Sequence, residues 1–461
     1  MKDPRALVQA MSLEEKAAQM IFLGFKETEL PERVAAFIEK NGLGGIILFT
    51  RNVKSPEQTL ALTTAAQKAA KRSRQGMPLA ISIDQEGGTV TRMGEEAGYT
   101  HFPGNMALGA ADDPTLTYRA ARTMAAEMRA VGINWNLAPV LDVNNNAMNP
   151  VIGVRSYGAA PELVGRHGSA AVKGYQDGYV AACGKHFPGH GDTAVDSHLA
   201  LPVIPHDRAR LEAVEFAPFR EAIKAGLDSM MTAHVFFPAL EPTPGLPATL
   251  SKNVMTGLLR EEMGFDGVIS TDCLEMKAIA DNFTPEQTVQ LCVEAGVDAL
   301  LVSHTWNLQM AMYEALLKLV REGKISEERV AESAVRIVRM KLARKMDQFL
   351  PADLGSSAHH NVALEVARKA MTVAWGAEHL PLSGKVMLVL PRVVWFAQVE
   401  DSRTVLAKLL EGLTGAGLAV DAIDCPLTMD GVDVDELTRR AGPGGTVVFG
   451  AAGVGRNPRQ A

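Results

Sequence analysis

Cysteine is scarce: the 461 residues contain four, Cys183, Cys273, Cys292 and Cys425, and no two are spaced C-x-x-C. That scatter argues against a disulfide framework and against a structural zinc site. No run of about 18 apolar residues is present to span a bilayer. Basic charge is not in excess either, since 46 Lys and Arg stand against 53 Asp and Glu, a net of −7 with a pI near 5.9. A chain so charged lacks the positive field that nucleic acid or an anionic membrane surface attracts, so neither is expected as a partner. Met1-Lys2-Asp3-Pro4 lacks the basic and apolar stretches of a signal peptide, and the chain reads as cytoplasmic. Glycine-rich phosphate loops, a Gly-x-Ser-x-Gly elbow and a His-Glu-x-x-His pair are all missing, which disfavours nucleotide chemistry, serine hydrolysis and zinc proteolysis.

What is present is an ordinary globular composition, 47% hydrophobic and 21% charged, on a chain long enough for a large barrel and a second unit. Ser12-Leu13-Glu14-Glu15 has capping-box spacing and predicts a helix start. Eight short apolar or β-branched runs follow: Met20–Gly24, Gly45–Phe49, Leu79–Asp84, Asn134–Leu137, Ala181–Lys185, Ser229–Ala233, Val268–Thr271 and Ala299–Ser303. Amphipathic helical patterns lie between them, at Pro56–Arg72, Pro114–Ala130, Pro161–Gln176, Arg208–Ala225 and Pro285–Ala295. Alternation of this kind predicts βαβ units on a parallel sheet, and a count of eight favours a (β/α)8 barrel over an open doubly wound sheet. The barrel is expected over residues 1–346, a Pro/Gly/Ser/Asp-rich linker over 347–362, and a partial α/β domain over 363–461, with strands at Val386–Leu390 and Thr446–Gly450 and a helix at Arg403–Leu413.

Polar residues gather just after the strands, the end where barrel enzymes place their sites. Strand three leads into Asp84-Gln85-Glu86-Gly87-Gly88 and Arg92. Strand four is followed by Asp142 and Gly153-Val154-Arg155-Ser156-Tyr157. Strand five runs into Lys185-His186-Phe187-Pro188-Gly189-His190-Gly191-Asp192-Thr193 and Asp196-Ser197-His198. Strand six delivers His234 and strand seven Asp272. Singly, each has a bland reading: a strand-end Asp is often a helix cap, a lone His is usually packed, and Gly-Gly marks a turn. Five successive strands delivering acids, bases and guanidinium groups to one end is not what structural ion pairs require. His186 and His190 are four apart, but Pro188 and Gly189 between them preclude a regular helix, so no metal site is expected there. Carboxylates, imidazoles and polar clamps without metal or cofactor suit glycosyl chemistry.

The stretch Lys185–Thr193 with Asp196-Ser197-His198 resembles glycoside hydrolase family 3, in its bacterial β-N-acetylglucosaminidase branch. The resemblance covers roughly residues 8–345 and includes Gly44–Phe49, Asp84–Gly88 and Gly267–Met276. It implies a (β/α)8 barrel followed by an α/β sandwich domain, of which the C-terminal hundred residues look like the opening part. It implies a retaining mechanism with Asp272 as nucleophile and His198, oriented by Asp196, as acid/base. Asp84, Arg92, Arg155, Lys185 and His186 are implied as sugar-binding residues, with His190, Asp192 and His234 in support and Cys273 a packed thiol. An imidazole suits the acid/base role because its ordinary pKa lies near neutrality. The substrate expected is a nonreducing terminal β-linked N-acetylglucosamine, from peptidoglycan fragments, with no cofactor and no metal. A phosphorylase or β-glucosidase of the same family, and a non-catalytic sugar-binding protein, stay open as alternatives at this point, as does the oligomeric state.

Overall fold

All eight apolar runs form strands, and all are parallel. In the computed structural model, which describes residues 3–193, 201–373, 377–392, 405–426, 429, 432–443 and 445–450, they are β1 (Ile21–Leu23), β2 (Gly45–Leu48), β3 (Ala80–Ile83), β4 (Trp135–Asn136), β5 (Ala181–Phe187), β6 (Ser229–Thr232), β7 (Val268–Ser270) and β8 (Leu300–Val302). Each pairs with its successor from β1 to β7, and β1 also pairs with β8. The remaining seam is closed by a bridge between Ser270 and Ala299 and by the Thr271 N–H, which donates to the Ala299 carbonyl at 2.9 Å. The result is a closed (β/α)8 barrel. Every strand is buried along its whole length, which is why the sequence shows short continuous apolar runs rather than alternation. Trp135 fills the interior, its indole N–H donating to Ser229 Oγ at 2.8 Å while Phe22 meets its ring edge-on at 5.1 Å.

The helices start where the caps say. Ser12 Oγ accepts from the Glu15 N–H and Glu15 Oε2 accepts from the Ser12 N–H, completing the capping box. Helices Pro56–Arg72, Pro114–Ala130 and Pro285–Ala295 match the expected spans, each opening on a proline whose missing N–H is one of the helix's unpaired donors anyway. The pattern Arg208–Ala225 is instead two helices, Arg208–Ala213 and Ala217–Lys224. Pro218 cannot donate back to the preceding turn, so the first helix cannot run through it. Below the barrel, at the N-terminal ends of its strands, Lys341 is fully buried with Nζ donating to Gln19 Oε1 at 2.7 Å. Burial pushes its pKa down to about 7.

The first compact unit runs from Met1 to Ala370, not to 346, and the second from Met371 to Ala461. The segment expected as linker ends inside a helix, Ser357–Ala370, that packs on helices Asn105–Ala111 and Pro114–Ala130. Val366 is buried there, and Glu365 and Lys369 pair with Arg119 and Asp113 at 2.8 Å each, so this helix belongs to the barrel unit. In the second unit β9 (Lys385–Arg392) lies between β10 (Ala419–Pro426) and β11 (Thr446–Phe449), all parallel, with helices Val405–Gly415 and Val434–Ala441. β10 was not expected from the sequence: two aspartates interrupt its apolar residues, and of its eight residues only Cys425 is buried.

Candidate active site

Two loops at the C-terminal end of the barrel are shaped by backbone that has no room for side chains. After β3, the strand pair Gln85–Gly87 and Val90–Thr91 turns on Gly87 and Gly88, both at positive φ, and a Cβ on Gly87 would stand 2.7 Å from the Pro103 carbonyl oxygen. After β5, Gly191 passes so close to Val143 that a Cβ would fall 1.8 Å from its carbonyl oxygen. These turns bring Glu86 against Arg155 and Lys185 and seat the stem of the β5 loop on the segment that follows β4.

The loops bring together five of the residues expected to touch sugar. Lys185 Nζ lies 2.7 Å from both Asp84 Oδ1 and Glu86 Oε1. Arg155 forks onto Glu86, with Nη2 to Oε1 at 2.8 Å and Nε to Oε2 at 3.0 Å. Arg92 stands 4.0 Å from Asp84. His186 Nδ1 is 2.7 Å from Asp142 Oδ2, and Arg155 Nη2 approaches its Nε2 at 3.4 Å. Because a carboxylate only accepts and a guanidinium only donates, the imidazole proton belongs on Nδ1. Asp142 also accepts from the backbone N–H groups of His186 and His190. Three carboxylates therefore face three cations, and Asp84 and Arg92 are the least enclosed of the six.

The charges hold one another in place. Burial works against the Glu86 carboxylate, but Arg155 and Lys185 keep it well below the usual range. Burial likewise opposes charge on Lys185 and Arg155, and their carboxylate partners raise both. Asp142, fully enclosed, is kept low by His186 despite the burial. His190 goes the other way: burial, with His186 next in effect, pushes it down to about 4, so it is a neutral hydrogen-bonding group with Nδ1 2.8 Å from Thr193 Oγ1.

Asp272 follows β7 and is half-buried, with Oδ1 accepting the Cys273 N–H at 2.7 Å. His234, after β6, reaches the next carbonyl: its Nε2 is 3.1 Å from Cys273 O and its Nδ1 2.8 Å from Thr249 Oγ1. A carbonyl only accepts, so Nε2 carries the proton and the imidazole steadies the peptide beside Asp272. Asp192 pairs with His206 at 2.7 Å and stands 3.9 Å from Arg210. Asp196 and His198 lie outside the described residues.

A half-buried carboxylate at one barrel mouth, beside paired acids and bases that can hold hydroxyl groups, suits glycosyl transfer to a carboxylate. Comparison with known proteins decides the family. Residues 12–340 match the N-terminal domain of glycosyl hydrolase family 3. The chain belongs to glycoside hydrolase family 3. A β-hexosaminidase A from Pseudoalteromonas piscicida is 37% identical over 385 residues, 78% of this chain and 64% of its own length. A β-hexosaminidase from Alkalilimnicola ehrlichii is 38% identical over 288 residues, 61% of this chain and 80% of that protein. A family 3 β-N-acetylglucosaminidase from Paenibacillus sp. str. FPU-7 superposes with a TM-score of 0.91 at 43% identity, covering 98% of this chain and 86% of that one. The chain thus spans just under two thirds of the Pseudoalteromonas protein and most of the other two.

Within this family 3 site, reading the sequence overlooked Glu86. The motif Asp84-Gln85-Glu86 was visible, but only Asp84 was singled out, because the partner that makes Glu86 central, Arg155, is 69 residues away. Asp142 was seen as a strand-end acid without a role; its two backbone donors and His186 give it one. Thr249, which orients His234, carries no signal in the sequence at all. Among the described residues, no helix is long and apolar enough to cross a membrane.

Proposed function

We propose that this glycoside hydrolase is a retaining, exo-acting β-N-acetylglucosaminidase that removes nonreducing terminal β-linked N-acetylglucosamine, with peptidoglycan fragments as natural substrate. Asp272 attacks the anomeric carbon and forms a glycosyl ester as the glycosidic bond breaks, while His198 gives a proton to the departing oxygen. In the second step His198 takes a proton from water, whose oxygen displaces Asp272 from the sugar. Asp196 holds the imidazole in the tautomer that makes this exchange possible and stabilises the imidazolium. Asp84 accepts hydrogen bonds from the sugar, and Arg92, Arg155, Lys185 and His186 complete the subsite around it.

The observation that carries this reading is the buried Asp84–Lys185–Glu86–Arg155 chain at the same barrel end as Asp272. It fixes donors and acceptors rigidly enough to orient a sugar ring for in-line attack. The likeness to the Paenibacillus β-N-acetylglucosaminidase supports the N-acetylated sugar, and the β-hexosaminidase relatives support a hexosamine-directed glycosidase. Four free thiols suit a reducing compartment, and we place the enzyme in the cytoplasm.

Substitution of Asp272 by Ala tests the mechanism. The expected result is loss of aryl β-N-acetylglucosaminide hydrolysis with N-acetylglucosamine binding retained in calorimetry. Equal inactivity of wild type and Asp272→Ala, with sugar bound by both, would replace the enzyme reading by that of a sugar-binding protein.

A further inference from the structure

We propose that Cys273, Glu275 and His304 form a binding site for a borderline-soft divalent cation such as zinc, at the rim of the cleft next to Asp272. The three side chains offer a sulfur, an oxygen and a nitrogen, and these atoms all lie within 4.8 Å of one another. Cys273 Sγ and Glu275 Oε2 are 4.0 Å apart. Ligand atoms at ordinary zinc distances in a tetrahedron stand roughly 3.5 Å from each other, so the set needs to contract by about half an ångström between Cys273 and Glu275 and by at most about 1.3 Å elsewhere. Three protein ligands with a fourth position left to water is a coordination zinc commonly adopts.

The fold builds this set from two strand ends. Leu274 is fully buried and its N–H donates to the Leu301 carbonyl at 2.9 Å, tying the segment after β7 to β8. Cys273 and Glu275, its neighbours on either side, are both half-buried, and His304 enters from beyond β8. Glu275 Oε2 accepts the His304 backbone N–H at 2.6 Å, which sets carboxylate and imidazole in register before any ion arrives. His304 is exposed, giving an ion a path in.

One group opposes the ion. Arg51 Nη2 lies 3.2 Å from His304 Nδ1 and stacks over Phe49. Its donated hydrogen bond makes Nδ1 an acceptor, so an ion must either take that nitrogen from Arg51 or bind Nε2 after the ring proton moves to Nδ1. Both routes end the Arg51–His304 hydrogen bond. As the sulfur–metal bond forms, the thiol proton leaves to solvent. Because the Cys273 N–H is also the donor to Asp272 Oδ1, a cation here draws on the nucleophile's surroundings and should slow glycosyl transfer. This last consequence rests on the proposed role of Asp272; the binding site does not.

Cobalt(II) titration of the full chain, stripped of metal, separates the two. The expected result is one equivalent bound with a thiolate-to-cobalt charge-transfer band. That band should vanish in Cys273→Ser, while Glu275→Gln and His304→Gln should each weaken binding by about tenfold or more. Arg51→Met, which removes the competing cation, should tighten it by about tenfold. Unchanged melting temperatures for these variants would show that the fold is intact. No stoichiometric site, or a band that persists in Cys273→Ser through Cys183, Cys292 or Cys425, would overturn the proposal. Zinc should inhibit hydrolysis by wild type reversibly, with chelator restoring it, and spare Cys273→Ser. Cobalt binding at Cys273 without zinc inhibition would leave the site standing and overturn its coupling to Asp272.

Discussion

Replacing Glu86 by Gln removes one charge from a set that is otherwise balanced, with little change in shape. Glu86 is 2% exposed and accepts from both Arg155 and Lys185. Lys185 keeps Asp84 at 2.7 Å, but Arg155 is left with the Val151 carbonyl at 3.2 Å and the edge of His186. Removing one partner of a buried pair generally costs roughly 3–5 kcal/mol, because the survivor keeps a charge that water no longer solvates. At about 2.1 cal/mol/K per residue, a unit of ~370 residues has an unfolding entropy near 0.8 kcal/mol/K, so the melting midpoint should fall by about 4–6 °C. Differential scanning calorimetry measures this directly. Adding Arg155→Gln to Glu86→Gln should recover part of the loss, since the unpaired guanidinium is then gone. A midpoint within about 1 °C of wild type for Glu86→Gln would refute the reasoning, and strictly additive losses in the double variant would refute the pairing.

Three further outcomes follow from other parts of the molecule. Lys341, whose pKa burial pushes down to about 7, binds fewer protons folded than unfolded between pH 7 and its ordinary value near 10.5, so stability should rise with pH across that window. The slope should be at most about 1.4 kcal/mol per pH unit and should disappear in Lys341→Met; equal pH dependence of the two melting curves would contradict it. Asp142→Asn weakens charge-assisted hydrogen bonds to His186 and His190, and kcat/KM should fall by about 10–100-fold with the fold retained, whereas unchanged kinetics would remove Asp142 from the site's support. Gly191→Ala places a Cβ 1.8 Å from the Val143 carbonyl oxygen, so it should lose about 3 kcal/mol in denaturant melts; a neutral substitution would mean the backbone there yields easily.

The barrel was legible because each strand is buried on both faces and bounded by turn residues, so the eight runs from Ile21 to Val302 stand out as apolar islands. Helix starts were legible wherever a capping residue and a proline coincide, as at Ser55-Pro56 and Thr284-Pro285. The meeting of strand-end residues was legible too, since Asp84, Arg92, Arg155, Lys185 and His186 converge at one end of the barrel. What stayed hidden depends on partners distant in sequence. Glu86 becomes central only through Arg155, and Lys341 looks like one more helix-surface lysine until Gln19 and the barrel floor enclose it. Helix Ser357–Ala370 was split between an expected linker and an expected second domain, because its opening follows Pro, Gly and Ser residues while its docking face is short. Cys273 read as a packed thiol; it is half-buried, and its meeting with His304 follows from the adjacency of β7 and β8, which no local pattern records.

The most direct test of the proposed function compares aryl β-N-acetylglucosaminide with aryl β-glucoside, with and without phosphate, for wild type and His198→Ala. The account requires strong preference for the acetamido sugar, free sugar as product whether or not phosphate is present, and loss of turnover in the variant. Preference for the glucoside, a sugar 1-phosphate as product, or full activity without His198 would contradict it.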